Sequence, residues 1–286
     1  MIFVSCPCWA QDDLLQLLEE ETANEETIDY TFATFKATRI INGQSVEMTS
    51  GGVLSFIIQH RFGKISDGIE EFFGLDQATI RFGLEYGISD RLNVAIGRSS
   101  FQKTYDGYLK FKLLRQSAGA KNFPFSMVLF SNIAINSSDF PEPDRKNYFT
   151  SRLSFTHQIL IARKFSKSFS MQISPTLVHR NLVETNEEEN DIPALGIGGR
   201  IKLSSRVSLN AEYYYQFSEI NREKTFDSFS VGLDIETGGH VFQLHFTNSK
   251  GMIERYFISE TNEDFFKGDI FFGFNINRVF TISAKE

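Results

Sequence analysis

From residue 53 to near the C-terminus, apolar and polar residues alternate in short runs that are separated by turn residues. In the run 80–86, Ile, Phe, Leu and Tyr occupy every second position, and Arg, Gly and Glu lie between them. The runs 207–213 and 270–276 repeat this arrangement. A period of two places the apolar side chains on one face of a β-strand. Many such strands without intervening helical segments predict an antiparallel sheet.

The pattern predicts about twelve strands. Their ranges are 53–62, 78–88, 92–100, 107–115, 126–135, 149–163, 169–180, 194–203, 207–217, 228–235, 240–248 and 269–280. Most of them have the ~9–11 residues that a tilted membrane-spanning strand needs. The connections alternate between long, as at 63–77, and tight, as at 89–91, although 101–104 and 116–125 break the alternation. Such sorting of loops is typical of an outer-membrane barrel whose termini are both periplasmic. We therefore predict an all-β fold, an antiparallel transmembrane β-barrel of about 12 strands.

The composition fits this fold and narrows the classes of function. The mean hydropathy is -0.20, and no run approaches the ~20 apolar residues of a membrane-spanning helix. A barrel stays compatible with these values, because half of each strand faces a polar lumen. The 30 Phe and 9 Tyr residues suit a lipid-facing surface with two aromatic girdles. The net charge of -7 argues against a nucleic-acid partner.

The first fifty residues are expected to lie outside the barrel. Residues 1–10 are apolar and end in a small residue, so we interpret them as a residual signal peptide. Residues 11–50 are predicted to form a periplasmic segment that begins with a short Leu-rich helix or tail, and residues 51–286 to form the barrel. The only cysteines, Cys6 and Cys8, precede the expected cleavage site. We therefore expect no thiol chemistry, and no motif indicates a cofactor or a metal site.

Two resemblances support the predicted location. Residues 273–280 combine a glycine with alternating apolar positions and a closing aromatic residue, which resembles the C-terminal signal that barrel-assembly machinery recognises. Several segments together resemble the DUF5777 β-barrel family of Bacteroidetes; they are residues 33–39, 60–63, 84–91, 103–107, 178–181, 209–215 and 234–249. The resemblance implies a barrel in the outer membrane of a Gram-negative cell. It implies no catalytic or binding residues, because the family is one of unknown function.

Alternation places a set of charged residues on the inward face of the barrel. The candidate lumen-lining residues are Arg61, Arg81, Glu85, Lys110, Lys112, Arg200, Glu212, Asp234 and His245, with Lys202, Glu236 and Asp269 as further inward positions. A basic wall opposite an acidic wall would orient a polar or zwitterionic solute in a narrow pore. Alternatively, these charges pair and fill the lumen, because about twelve strands lie between a filled barrel and an open channel.

Three loops bear on the mouth of the barrel. Residues 68–74 and 251–258 are more apolar than free surface loops should be. Each is expected to fold inward and constrict the mouth, or to pack on the other as a cap. The acidic run 184–191 can bridge through divalent cations to lipopolysaccharide, or it is a solvated loop.

Three functions are compatible with these observations. The leading hypothesis is a narrow channel for the passive passage of small polar solutes. The second is a plugged barrel that serves as an accessory subunit and docks a periplasmic protein through residues 11–27. The third is an outer-membrane lipid hydrolase built on Ser131 and His157, which share a predicted lipid-facing surface; no nucleophile motif surrounds Ser131. The expected partners are outer-membrane lipid, lipopolysaccharide and, during biogenesis, barrel-assembly machinery.

Overall fold

The computed structural model of the chain describes residues 27–140, 144, 146–183, 185 and 187–283. Its strands, numbered along the chain, are β1 (Ile28–Tyr30), β2 (Val53–Lys64), β3 (Ala78–Ser89), β4 (Leu92–Ser99), β5 (Tyr105–Leu114), β6 (Ser117–Gly119), β7 (Ser126–Ile135), β8 (Leu153–Lys164), β9 (Phe169–Arg180), β10 (Asp191–Lys202), β11 (Val207–Gln216), β12 (Ser228–Thr237), β13 (His240–Thr247) and β14 (Phe271–Thr281). All of them except β1 and β6 form one closed antiparallel barrel, in which β14 pairs with β2. The prediction of a twelve-stranded barrel is confirmed.

The two ends of the barrel carry different connections. Short connections join the strands at one end, called here the turn end, as between β3 and β4 or between β12 and β13. The opposite loop end carries the long connections. These include the helices α1 (Glu219–Lys224) and α2 (Glu254–Ser259) and the 3-10 helices Ile65–Asp67, Ile69–Gly74, Phe149–Arg152 and Phe265–Lys267. A further 3-10 helix, Phe101–Lys103, lies in the short connection between β4 and β5 at the loop end. The predicted sorting of long and short connections is confirmed, as are its two exceptions.

The one long connection at the turn end has a structural role. It lies between β5 and β7 and contains β6, which pairs with β1 in a separate two-stranded sheet. The Arg115 guanidinium lies 4.5 Å from the ring centroid of Tyr30 and 4.2 Å from that of Phe32. Strand pairing and these cation–π contacts therefore hold residues 28–32 against the turn end, just before the chain enters the barrel.

The strands alternate as the sequence predicts. In β3, Phe82 is 44% and Leu84 is 40% exposed on the outer surface, whereas Arg81 and Glu85 are buried inside. Each strand thus presents apolar side chains outward and polar side chains to the lumen, which suits a lipid-facing wall. Among the described residues, no helix is long and apolar enough to cross a membrane.

The lumen is filled by two segments of the chain itself. Residues 34–49, called here the plug, enter from the turn end as a loop, with a bridge between Arg39 and Gln44 near its tip. Residues 249–261, called here the inward loop, enter from the loop end and carry α2. The expectation that all of residues 11–50 form a periplasmic segment is therefore wrong for the plug. The predicted signal peptide (residues 1–10) and the predicted Leu-rich helix or tail (residues 11–27) lie outside the described residues, except for Thr27.

Two apolar clusters secure these segments. Near the turn end, Phe35, Ile40 and Val46 of the plug pack with a cluster of wall residues that includes Tyr108 and Leu160. Near the loop end, Phe257 and Ile258 of the inward loop pack with Val178, Ile192, Ala194 and Tyr214. Burying apolar area of this kind contributes roughly 25 cal/mol for each Å² that is removed from water.

Candidate functional site

The tip of the plug is held by one carboxylate of the wall. Glu212 of β11 accepts hydrogen bonds from the backbone N–H groups of Asn42 at 2.7 Å, Gly43 at 3.1 Å and Ile41 at 3.3 Å. Three donors on one buried carboxylate replace the water that it would bind in an open lumen. Gly43 is required here, because a Cβ atom at this position would overlap the Tyr214 hydroxyl group.

The remaining polar groups of the tip are bound by further strands of the wall. The Asn42 side chain donates to Ser230 Oγ at 3.0 Å and accepts from the Arg61 guanidinium. The carbonyl groups of Ile40 and Ile41 accept from Gln243 and Asn275, each at 2.9 Å. The tip is therefore fixed by hydrogen bonds to β2, β11, β12, β13 and β14, which form one side of the barrel.

The base of the plug meets a cation on the other side. The Lys110 ammonium group donates to the carbonyl groups of Thr38 at 2.9 Å, Ser45 at 3.1 Å and Glu47 at 3.2 Å. An ammonium group has three donors, so the plug satisfies all of them. At the mouth of the turn end, Arg200 donates to the carbonyl group of Ala33 at 2.8 Å.

Two other charged wall residues are satisfied mainly by the wall. Arg81 forms a bidentate pair with Asp106, with Nε to Oδ1 at 2.9 Å, and both side chains are buried. Glu85 accepts from Tyr108 at 2.6 Å, from Asn93 at 2.8 Å and from Thr49 of the plug at 2.6 Å. Paired and hydrogen-bonded in this way, buried charges avoid the cost of desolvation without a partner.

The inward loop closes the lumen from the other end. The α2 helix contacts β8, β9 and β11, and Met252, Ile253, Phe257 and Ile258 are fully buried. The hydroxyl groups of Tyr256 and Thr104 lie 2.7 Å apart, and burial raises the pKa of Tyr256, which lies outside the membrane-spanning strands. The expectation that residues 251–258 fold inward is confirmed.

The second apolar loop behaves differently. In the 3-10 helix Ile69–Gly74, Ile69 is 77%, Phe72 is 58% and Phe73 is 52% exposed at the loop end. The expectation that residues 68–74 fold inward or cap the other loop is wrong. Their apolar side chains stay outside the lumen, whose space at that end is already taken by the inward loop.

One buried cluster joins the two lumen segments. Glu254 Oε1 of α2 lies 3.2 Å from the Arg39 guanidinium and accepts from Gln44 Nε2 at 2.8 Å. Both Arg39 and Glu254 are almost fully buried. Sequence reasoning missed this pair, although a glutamate in an apolar loop signals that a buried partner exists.

All nine predicted lumen residues lie on the inward face of the barrel. Arg61, Arg81, Glu85, Lys110, Arg200, Glu212, Asp234 and His245 are buried, and Lys112 is half-buried near the turn end. Of the further positions, Lys202 is half-buried, Glu236 is exposed beside Lys36, and Asp269 precedes β14 at the loop end. Most of the buried charges contact the plug or a neighbouring wall residue, so they do not face an empty pore.

Among the described residues, buried polar atoms without a partner occur on several parts of the wall, as at Ser208, Ser228 and His245, and β7 and β8 carry a further group of them. The inward residues Asn132, Ser154, Thr156 and Gln158 of these two strands are buried, yet within the described part of the chain both polar atoms of Asn132 and the hydroxyl oxygens of Ser154 and Thr156 have no hydrogen-bond partner. Leaving a buried polar group unpaired costs roughly 1–3 kcal/mol. The polar side chains of these two strands are therefore poorly matched to the segments that cover them.

The outer surface of the same two strands carries the predicted polar pair. Ser131 Oγ and His157 Nδ1 lie 3.0 Å apart, and the two residues are opposite one another in the β7–β8 ladder. The predicted juxtaposition is confirmed. Elsewhere in the described residues, no group of three or more His, Cys, Asp or Glu side chains is placed to hold a metal ion.

Comparisons with known proteins agree with this architecture. A family model described as "Membrane bound beta barrel domain (DUF5777)" matches residues 35–280. No curated protein matches the chain. The structure is similar to that of the NanC porin, with a TM-score of 0.50, 8% sequence identity and coverage of 82% of this chain and 100% of that chain. An outer membrane channel from Pseudomonas putida F1 gives a TM-score of 0.48, 10% identity and coverage of 82% and 97%. At these identities the similarity concerns the fold alone.

Proposed function

The chain belongs to the DUF5777 family of membrane-bound β-barrel domains, and from this premise we propose that it is a gated channel of a Gram-negative outer membrane. The turn end faces the periplasm and the loop end faces the exterior. In the closed state the plug and the inward loop fill the lumen. When they move, small polar solutes pass along the charged wall.

The observation that carries the proposal is the chemistry of the contact between plug and wall. Glu212, Lys110 and Arg200 bind the plug mainly through its backbone N–H and carbonyl groups, and Arg200 does so at the carbonyl group of Thr34. Water can replace these bonds when the plug moves, and the net contribution of a hydrogen bond to a charged group is about 1.5–3 kcal/mol.

The wall of β7 and β8 supports the same proposal. Asn132, Ser154 and Thr156 carry unpartnered polar atoms in the closed state, and hydration of these atoms on opening would recover part of their desolvation cost. The lumen charges Arg61, Glu85 and Asp234 would then set the ion selectivity of the open state.

A second candidate is a permanently plugged barrel that serves as an accessory or anchoring subunit. It is favoured by the completeness of the plug contacts, since Glu212 and Lys110 each bind three backbone groups of the plug. The docking partner would be a periplasmic protein that recognises the chain before β1.

The experiment compares free and locked plugs in a planar lipid bilayer. A Cβ atom at Gly198 would overlap Ile40 Cδ1 and lie 3.7 Å from Ile40 Cγ1 and Cγ2. The I40C/G198C variant removes Cδ1, so its two cysteines can form a disulfide between plug and wall. The chain is refolded from Gln11, which removes Cys6 and Cys8. We expect discrete current steps from the parent chain, silence from the oxidised variant and recovery after reduction.

The controls separate a closed channel from a failed preparation. Heat-modifiable gel mobility reports that each barrel is folded, and the single variant I40C reports any effect of the substitution itself. Silence of the parent chain and of a variant with a weakened plug, such as E212A, would reject the channel and favour the accessory subunit.

A further inference from the structure

The outer surface of β7, β8 and β9 holds a groove that the proposed channel does not use. Its volume is about 570 Å³, within the range of about 300–1,000 Å³ that ligand sites have. Apolar side chains dominate its lining; they are Leu109, Phe111, Leu129, Ile159, Pro175 and Leu177. Ser131 and His157 are its polar side chains on the outer surface. The groove is therefore apolar except for one polar pair, Ser131 and His157.

The hydrogen bond between Ser131 and His157 leaves the pair both a donor and an acceptor. If Ser131 donates to Nδ1, then Nε2–H remains a donor and the Ser131 oxygen remains an acceptor. If Nδ1–H donates to Ser131, the serine O–H remains a donor and Nε2 an acceptor. In both cases a group that donates and accepts at once, such as a hydroxyl group, matches the pair.

A second feature in the same groove adds an acceptor. The register between β8 and β9 passes from Gln158–Thr176 to Ile161–Ile173 without the two intermediate pairs. Pro175 stands opposite Ile159 in this register and has no N–H group. In an antiparallel ladder, a bond from the N–H of residue 175 to the Ile159 carbonyl would define both intermediate pairs. Pro175 cannot donate this bond, and its absence accounts for the loss of both pairs. That carbonyl thus lacks its partner from β9 and needs a donor from elsewhere.

We propose that this groove binds an acyl chain that carries a hydroxyl group. The alkyl part lies along Leu129, Ile159 and Leu177, and the hydroxyl group bonds to Ser131 and His157. An acyl chain without a hydroxyl group leaves Ser131, His157 and the Ile159 carbonyl group without a further hydrogen-bond partner. The hydrocarbon of the bilayer cannot supply one. The hydroxyacyl group belongs to an outer-leaflet lipid or to a free hydroxy fatty acid.

The same geometry does not favour hydrolysis. In the described part of the chain, Ser131 is the hydrogen-bond partner of His157, and no carboxylate accepts from its ring as a general base requires. The interruption at Pro175 supplies a carbonyl acceptor, whereas an oxyanion needs donors. Ser131 and His157 therefore fit a binding site better than the predicted hydrolase.

Native mass spectrometry of the refolded full chain in detergent tests the proposal. The probes are 3-hydroxytetradecanoic acid and tetradecanoic acid, which differ by one hydroxyl group. We expect about a tenfold preference for the hydroxylated probe, the effect of one net hydrogen bond. The variants S131A and H157L should each lose that preference. The variant H60L is the matched control, because His60 is another outward histidine beside Phe62 and Phe274, and it should keep it.

Two results would overturn the proposal. One is equal binding of both probes by the parent chain, with heat-modifiable mobility showing a folded barrel. The other is release of fatty acid from a phospholipid vesicle that S131A abolishes, which would assign hydrolysis to the pair. If the hydroxylated probe is preferred, the affinity for this free acid is compared with the affinity for lipopolysaccharide that bears hydroxyacyl chains. The tighter ligand identifies the source, a free hydroxy fatty acid or an outer-leaflet lipid.

Discussion

Apolar clusters hold both segments that fill the lumen, but the tip of the plug differs from the inward loop in its main contacts. The plug tip is fixed by charged and polar side chains, with Glu212 and Asn275 bonding its backbone. The inward loop is fixed by apolar side chains, with Phe257 and Ile258 buried against Val178, Ile192 and Tyr214. Polar contacts are exchanged for water at small net cost, whereas apolar burial is lost in full when the segment leaves. We infer that the tip of the plug is displaced more readily than the inward loop.

The largest effect is expected from F257A, which removes the buried ring of α2. Truncation of a buried phenylalanine costs about 3–5 kcal/mol. Hydrogen exchange of residues 253–261 should accelerate by about a hundredfold or more. Exchange at residues 41–43 should accelerate much less, because their N–H groups bond to Glu212 of the wall. F266A is the matched control, since Phe266 belongs to the same connection and is 82% exposed. Equal acceleration in both segments would break the comparison.

A smaller effect is expected from E212A, because water can enter the space of the missing carboxylate and bind the N–H groups that it leaves. The variant removes the acceptor of three backbone N–H groups, and a hydrogen bond to a charged group contributes about 1.5–3 kcal/mol. Exchange at Ile41, Asn42 and Gly43 should become faster, and the bilayer current should show more frequent opening. The exposed residue Glu219 provides the control E219A. If the exchange rates of the tip did not change, the apolar residues of the plug, such as Phe35 and Val46, would be sufficient to hold the tip in place.

The link between the segments is tested by E254Q. Glu254 contacts Arg39 and Gln44 across the boundary between inward loop and plug, and its neutral analogue should weaken that boundary by about 1–2 kcal/mol. Residues 39–44 and 253–257 are expected to lose protection together. Loss confined to one segment would mean that plug and loop open independently.

The smallest effects are expected for ion selectivity near the turn end. Arg200 and Asp234 carry opposite charges on neighbouring parts of the inward face. In the open state, R200Q should shift the reversal potential toward cation selectivity and D234N toward anion selectivity. Identical reversal potentials in both variants and the parent chain would place the solute path away from these residues.

The barrel itself could be predicted from the sequence because each wall position has one of two environments. Phe82 meets the outer surface and Arg81 the lumen, so a local period of two reports the fold. The strand ends are harder to predict: residues 149–152 belong to the predicted strand 149–163 but form a 3-10 helix, since only Leu153 onward finds a ladder partner.

The plug could not be predicted in the same way. Asn42 and Gly43 predict a turn, but the partners of that turn, Glu212 and Arg61, are distant in sequence. Long-range hydrogen bonds leave no local pattern. The two apolar loops illustrate the same limit: residues 251–258 and 68–74 are similar in composition, yet only the first enters the lumen. The hydrophobicity of a loop predicts that the loop avoids water. Both the barrel interior and the outer surface offer such a place, so composition alone cannot distinguish the two loops.

The position of the plug between β1 and β2 constrains how the barrel is assembled. The seam that closes the barrel joins β2 to β14, the first barrel strand to the last, and the plug precedes β2 directly in the chain. Because both ends of the plug are tied at the turn end, by β1 on β6 and by β2 in the wall, it stays tethered whenever it moves. During synthesis, every strand must be made before the seam can form, so the chain closes its wall around a segment that was made first.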